Sequence, residues 1–250
     1  MSGFDLLELQ QTLYTSANPT RRWLHCVRRD WVLERIRQTA VGGGRALEIG
    51  PGSGVYLPFL AQQFESVTAT DIEKEFLANV RQLAQSIGGI SVVEDDITSS
   101  RLPSGHFDLV LCSEVIEHIE NSDRVLRNIH RILGADGSLI LTTPQKYSVL
   151  ELVARIAFLP GIRWLVEAVY AEPVLEMGHI NLMTRRTVEQ QLTEAGFEIV
   201  DRHICGFYLP LVAEFGGKHG QRALSRLGAG LRGSILEWSL WTQCYVARKV

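Results

Sequence analysis

With 250 residues, 46% of them hydrophobic and 21% charged, the chain has an ordinary globular composition and enough length to bury one substantial core. A formal net charge of −3 argues against a nucleic-acid partner, because nonspecific binding to a phosphate backbone depends on clustered lysine and arginine. Cys26, Cys112, Cys205 and Cys244 lie far apart, without the CxxC pair of a zinc site or the density of a disulfide framework, so neither a metal nor a secreted scaffold is expected.

Residues 1–10 carry Asp5 and Glu8 where a signal peptide needs a basic flank and an apolar run, which points to a cytoplasmic protein. Residues 4–40 read as helical, with apolar Trp23, Val27, Trp31, Leu33 and Ile36 recurring, Asn18 placed to cap and Pro19 suited to a first turn. Residues 1–44 are thus expected to form an N-terminal helical lid. Residues 46–49 form a short apolar strand that enters a glycine-rich turn, followed by a helix over 56–64. The pattern repeats with strands at 66–70, 91–94 and 107–112 and helices at 74–86 and 122–133, and such alternation implies crossovers and a parallel sheet. Gly134 and Gly137 turn the chain into a fifth strand at 138–143.

Residues 144–186 break the rhythm. They read as a cap of two short amphipathic helices around Pro160-Gly161, then a loop at 172–184. The apolar stretch 149–170 is interrupted by Glu151, Arg155, Arg163 and Glu167, so it does not cross a bilayer, although peripheral membrane contact stays open. Its Phe158 and Trp164 suit either core packing or an apolar acceptor pocket. A helix at 187–195 stops at Gly196, a sixth strand spans 197–203, a helical insertion spans 210–240, and 242–248 alternates as a closing strand. On the insertion, Lys218, Arg222, Arg226 and Arg232 suit a solvated face or an anionic partner.

The chemistry concentrates after the first strand, where Glu48, Gly50, Pro51, Gly52, Ser53 and Gly54 form a loop whose glycines let a ligand approach the backbone. Asp71 closes the second strand about twenty positions on, where a carboxylate accepts from both hydroxyls of a ribose; its bland alternative is a helix cap. Loop and acid together indicate an adenosine ligand. A dinucleotide fingerprint needs a third glycine, where this chain has Val55, and Glu48 would repel a pyrophosphate. A cofactor with an ammonium group, a sulfonium and no phosphate suits the loop better, and S-adenosylmethionine is that cofactor.

Residues 46–54 resemble the first motif of class I S-adenosylmethionine-dependent methyltransferases in its E-x-G-x-G-x-G form. The run Glu94-Asp95-Asp96-Ile97 resembles the adenine-edge motif, and 107–118, ending Ser113-Glu114-Val115-Ile116-Glu117-His118, resembles the fourth-strand motif. The likeness spans about residues 45–200 and is strongest to the small-molecule branch that includes ubiquinone biosynthesis enzymes. It implies an α/β fold, a doubly wound Rossmann-like, mostly parallel seven-stranded sheet with helices on both faces and an antiparallel last strand. It further implies a cofactor core at 45–143 and a C-terminal part of the sheet at 187–250. By the resemblance Asp96 accepts from the adenine amino group, Ile97 offers its backbone amide, Ile72 packs on the adenine, and Ser113 and Glu114 lie under the methionine end. Pro51 stands where many relatives have cysteine.

Methyl transfer to a small-molecule acceptor needs alignment and water exclusion more than a protein nucleophile. For a hydroxyl acceptor, His118 at the carboxyl edge is the candidate general base, its alternative being a loop anchor through Glu117; His179 in the cap is second, its alternative a solvated loop residue, and Tyr14 suits a core aromatic before a side chain that closes over the cofactor. A cofactor-binding scaffold and a nicotinamide-dependent oxidoreductase are the rival readings.

Overall fold

The computed structural model describes residues 13–40, 43–157 and 179–250. Helix α1 (Pro19–Thr39) begins where the Asn18 side chain accepts from the backbone amides of Thr20 and Arg21, at 2.9 and 3.2 Å. The chain turns at Tyr14 and Thr15 just before it. The helix thus starts where Asn18 and Pro19 are expected to cap and begin it, and residues 14–18 interrupt the helical reading of 4–40, since the Pro19 ring opposes a helix running through it. Residues 4–12 lie outside the described part.

After α1 come β1 (Arg45–Ile49), α2 (Leu57–Gln63), β2 (Ser66–Asp71), α3 (Lys74–Ile87), β3 (Ile90–Glu94) and β4 (Phe107–Ser113). Next are α4 (Ser122–Ile132), β5 (Leu133–Pro144), α5 (Val149–Ala157), α6 (Arg185–Glu194) and β6 (Phe197–Cys205). The chain ends with α7 (Pro210–Phe215), α8 (Gly217–Leu231) and β7 (Thr242–Lys249). The strands form one seven-stranded sheet in the order β3-β2-β1-β4-β5-β7-β6, parallel from β3 to β5, with β7 antiparallel to both its neighbours.

Strand β5 begins earlier than the glycines suggest. Leu133 already pairs with Phe107, and the ladder shifts register before Leu109 meets Ser138. Gly134 and Gly137 therefore lie in an irregular part of the ladder and not in a separate turn. Strand β6 slips similarly against β7, between Ile199 and Asp201.

Side chains of the central strands alternate between two covered faces. Leu47, Ile49, Val110 and Cys112 meet Val125, Leu126 and Ile129 of α4 and Val188 and Leu192 of α6. Ala46, Leu109 and Leu111 meet Val32 and Ile36 of α1, Leu57 and Leu60 of α2, and Val80 of α3. A smaller cluster of Leu24, Phe207, Tyr208, Leu224, Leu240 and Trp241 seats α1 against the insertion that carries α7 and α8. The second helix expected in the cap, together with Phe158, Pro160 and Trp164, lies outside the described residues. No described helix is long and apolar enough to cross a membrane.

Candidate active site

The strand order reverses between β1 and β4, which opens a crevice at their carboxyl ends, the usual ligand position in open α/β sheets. The loop after β1 enters it with Gly50, Gly52 and Gly54 at φ 65°, 51° and 74°, all in the left-handed region. The Gly50 amide donates to Thr70 O at 2.8 Å, and a Cβ on Gly50 would sit 2.6 Å from Val115 Cγ2. Pro51 is buried and Ser53 half-buried between them.

Glu48 precedes this loop and is buried, with Oε2 lacking a partner among the described residues. Burial pushes its carboxyl up to about 8. The folded chain thus keeps a proton that the unfolded chain releases near 4.5. Stability is fully present below about 4.5, falls as pH rises to about 8 with a slope of at most roughly 1.4 kcal/mol per pH unit, and levels off beyond. Glu48→Gln is expected to remove this slope. Urea unfolding of both ligand-free proteins across that range checks it, and parallel pH profiles would reject the protonated carboxyl.

Asp71 ends β2, its Oδ1 accepting from the Glu73 amide at 2.9 Å. Burial raises its carboxyl while the amides of Glu73 and Ile72 oppose the rise. The N-cap residue of α3 is Glu73, so Asp71 shapes the turn before the helix without capping it. Beside it Ile72 is 61% exposed, an apolar surface at the crevice edge. Asp96 is exposed and held below its usual range chiefly by the Thr98 hydroxyl; it accepts from the Thr98 amide at 2.8 Å and caps the short 3-10 turn Ile97–Ser99. The Ile97 side chain points into the core.

The end of β4 carries a hydrogen-bonded chain. Thr142 gives its hydroxyl proton to Glu114 Oε1 at 2.9 Å, so Ser113 is the donor in its own 2.9 Å contact with Thr142. Arg28 of α1 donates to Glu114 Oε2 at 2.7 Å. Glu114 has φ 57°, a left-handed conformation fixed by these bonds and by its amide to Thr142 O at 2.9 Å. Burial opposes the charge on Arg28, but Glu114 and Tyr14 overcome it and hold the guanidinium protonated. Tyr14 thus stands by this ion pair, and its ring centroid lies 6.1 Å from that of His25.

Glu117 is completely buried. Its Oε2 accepts from the Thr143 hydroxyl at 2.9 Å, and its backbone carbonyl accepts from the amides of Ile180 and Asn181. Glu117 ties the loop after β4 to the far end of the cap. His118 is exposed, and its ring centroid is 5.2 Å from that of His179. The two candidate histidines, distant in sequence, are brought together. His179 Nδ1 lies 3.5 Å from Glu151 Oε2, and Trp241 Nε1 donates to Glu151 Oε1 at 3.3 Å.

Arg28, Thr142 and Glu151 escape a reading of motifs. For Arg28 a signal exists: it falls on the apolar face of α1 with Leu24, Trp31 and Val32, where an arginine has to be paired. Lys218, Arg222, Arg226 and Arg232 are all exposed. The first two line a cavity of 280 Å³ with Arg22 and Trp23, which shares no residue with the glycine loop.

Residues 21–202 match the profile of the methyltransferase domain family. The ubiquinone biosynthesis O-methyltransferase of Pseudomonas aeruginosa (strain LESB58) is 33% identical over 120 residues, 47% of this chain and 50% of that protein, so the chain spans about half the length of this relative. Among solved structures, the N-methyltransferase NodS of Bradyrhizobium japonicum superposes with TM-score 0.60 at 19% identity, covering 99% of this chain and 96% of that one. The S-adenosylmethionine-dependent methyltransferase of Mesorhizobium loti gives 0.59 at 20%, covering 86% and 96%. The [4+2]-cyclase SpnF shares the fold with TM-score 0.58 at 18%, covering 88% and 80%. The family match extends over the glycine loop, both acids and the β4 motif, so this chain belongs to the methyltransferase domain family and has the class I S-adenosylmethionine-dependent methyltransferase fold.

Proposed function

We propose that the chain is an S-adenosylmethionine-dependent methyltransferase that moves the sulfonium methyl group to a small, largely apolar acceptor by in-line displacement. The observation that carries this is the left-handed glycine loop at the switch point, flanked by Glu48 and Asp71. In this reading the backbone of residues 50–54 cradles the cofactor, Asp71 takes its ribose, Ile72 and Asp96 with Ile97 take the adenine, and Glu48, Ser113 and Glu114 surround its methionine end. Val55 stands where a dinucleotide loop needs its third glycine, and an ammonium group beside Glu48 would draw its buried carboxyl towards the charged form as a phosphate would not. The acceptor enters beside His118, next to the described ends of the cap at α5 and His179, while α1 faces the crevice from the other side through Arg28.

Because SpnF shows that this fold also serves a cyclase, binding and turnover need separate tests. Calorimetry with S-adenosylhomocysteine and NAD side by side is expected to give binding of the first alone, and label transfer from methyl-labelled S-adenosylmethionine measures turnover. Asp71→Ala is expected to weaken S-adenosylhomocysteine by about 1.5 to 3 kcal/mol, the loss of a charged acceptor for hydroxyl donors. Unchanged affinity would remove Asp71 from the site.

A further inference from the structure

We propose that Glu117, His118 and His179 bind one divalent transition-metal ion at the mouth of the crevice. One ligand atom from each lies within 4.8 Å of the others. Three donors about 2.1 Å from one ion stand roughly 3.4 to 3.6 Å apart, so movements of up to about 0.7 Å by each side chain close the set. Glu117 and His118 lie in the loop after β4 and His179 near the end of the cap, yet the Glu117 carbonyl fixes the backbone at Ile180 and Asn181, next to His179.

A second observation points the same way. Glu117 is wholly buried, Thr143 satisfies its Oε2, and Oε1 has no partner among the described residues. Neighbouring Glu114 has Arg28 and Thr142, so its needs are met. An unpaired buried carboxyl oxygen is costly, and a cation bound to it removes the cost. The surroundings of His179 are those of a metal-bound imidazole. Glu151 approaches Nδ1 and is itself held by Trp241, which leaves Nε2 as the ligand nitrogen. Two imidazoles and one carboxylate select zinc, cobalt or iron over calcium. The wide cysteine spacing excludes a thiolate site but does not bear on histidines joined by the fold.

Resting on the methyltransferase reading, the ion would hold a hydroxyl oxygen of the acceptor. The bound hydroxyl gives its proton to solvent, its oxygen forms the bond to the methyl carbon, and the C–S bond breaks with its electron pair passing to sulfur, which becomes a neutral thioether. His118 then acts as a ligand and not as the proton acceptor.

The test is titration of the chelator-treated, untagged full chain with Co²⁺ and Zn²⁺, without cofactor. One saturable site per chain is expected, with a visible cobalt spectrum free of thiolate charge transfer. His118→Asn, whose side chain is exposed and whose variant is expected to fold, and His179→Asn should each weaken binding at least tenfold, and Glu117→Gln likewise. No saturable site, or a site indifferent to both histidine variants, overturns the proposal. Because S-adenosylhomocysteine binding is measured separately on the same metal-free protein, failure of the metal site and failure of the methyltransferase reading are distinguished.

Discussion

Gly52→Val is expected to abolish S-adenosylhomocysteine binding, by more than a hundredfold, in a protein that still folds. Gly52 sits at φ 51° in the turn between Gly50 and Gly54. A β-branched residue there is a steric outlier costing on the order of 1 to 3 kcal/mol, and the cheapest relief is for the turn to change shape. Any such change removes the close backbone approach that the proposed cofactor needs, while the added methyl groups occupy its space. Fold and function separate because the turn lies at the rim of the sheet and the layers of the core contain no residue of it from Gly50 to Gly54. Circular dichroism establishes the fold and calorimetry the binding. Full affinity in a folded variant would place the cofactor elsewhere.

The second large effect is on stability. Arg28→Met is expected to cost about 3 to 5 kcal/mol, because it leaves Glu114 only 19% exposed and without its cation. The loss includes the guanidinium over the Trp241 ring, 5.5 Å from its centroid. Adding Glu114→Gln to Arg28→Met should recover most of that loss, since an amide needs no counter-charge. Chemical unfolding of the two single variants and the double variant closes the cycle. A double variant no more stable than Arg28→Met would show that the pair contributes through packing alone.

The glycine loop and Asp71 are legible in the sequence because their chemistry is local: positive φ selects glycine, and a strand end followed by a turn places the acid. The sheet is legible too, since Leu109, Val110, Leu111 and Cys112 are apolar throughout, as a strand covered on both faces requires. What stayed hidden depends on contact across the fold. Arg28 and Glu114 are 86 positions apart, and no spacing rule joins them. His118 and His179 each read alone as a lone histidine, and only the packing of the Ile180–Asn181 backbone on the Glu117 carbonyl makes them neighbours. The start of β5 was masked by Gly134 and Gly137, which look like a turn but serve an irregular ladder.

The register slip in β6 has a bearing on how this molecule behaves at high concentration. A sheet of this order has two open sides, and each is a template for adding a strand from another copy. On one side β3 offers only Ile90–Glu94, ending in the carboxylate of Glu94. On the other, the slip between Ile199 and Asp201 interrupts the hydrogen-bonding row, and Glu198, Asp201 and Arg202 place charge along it. Neither side presents a long, flat, apolar edge, so runaway growth of the sheet from chain to chain is blocked where the fold is otherwise most vulnerable to it.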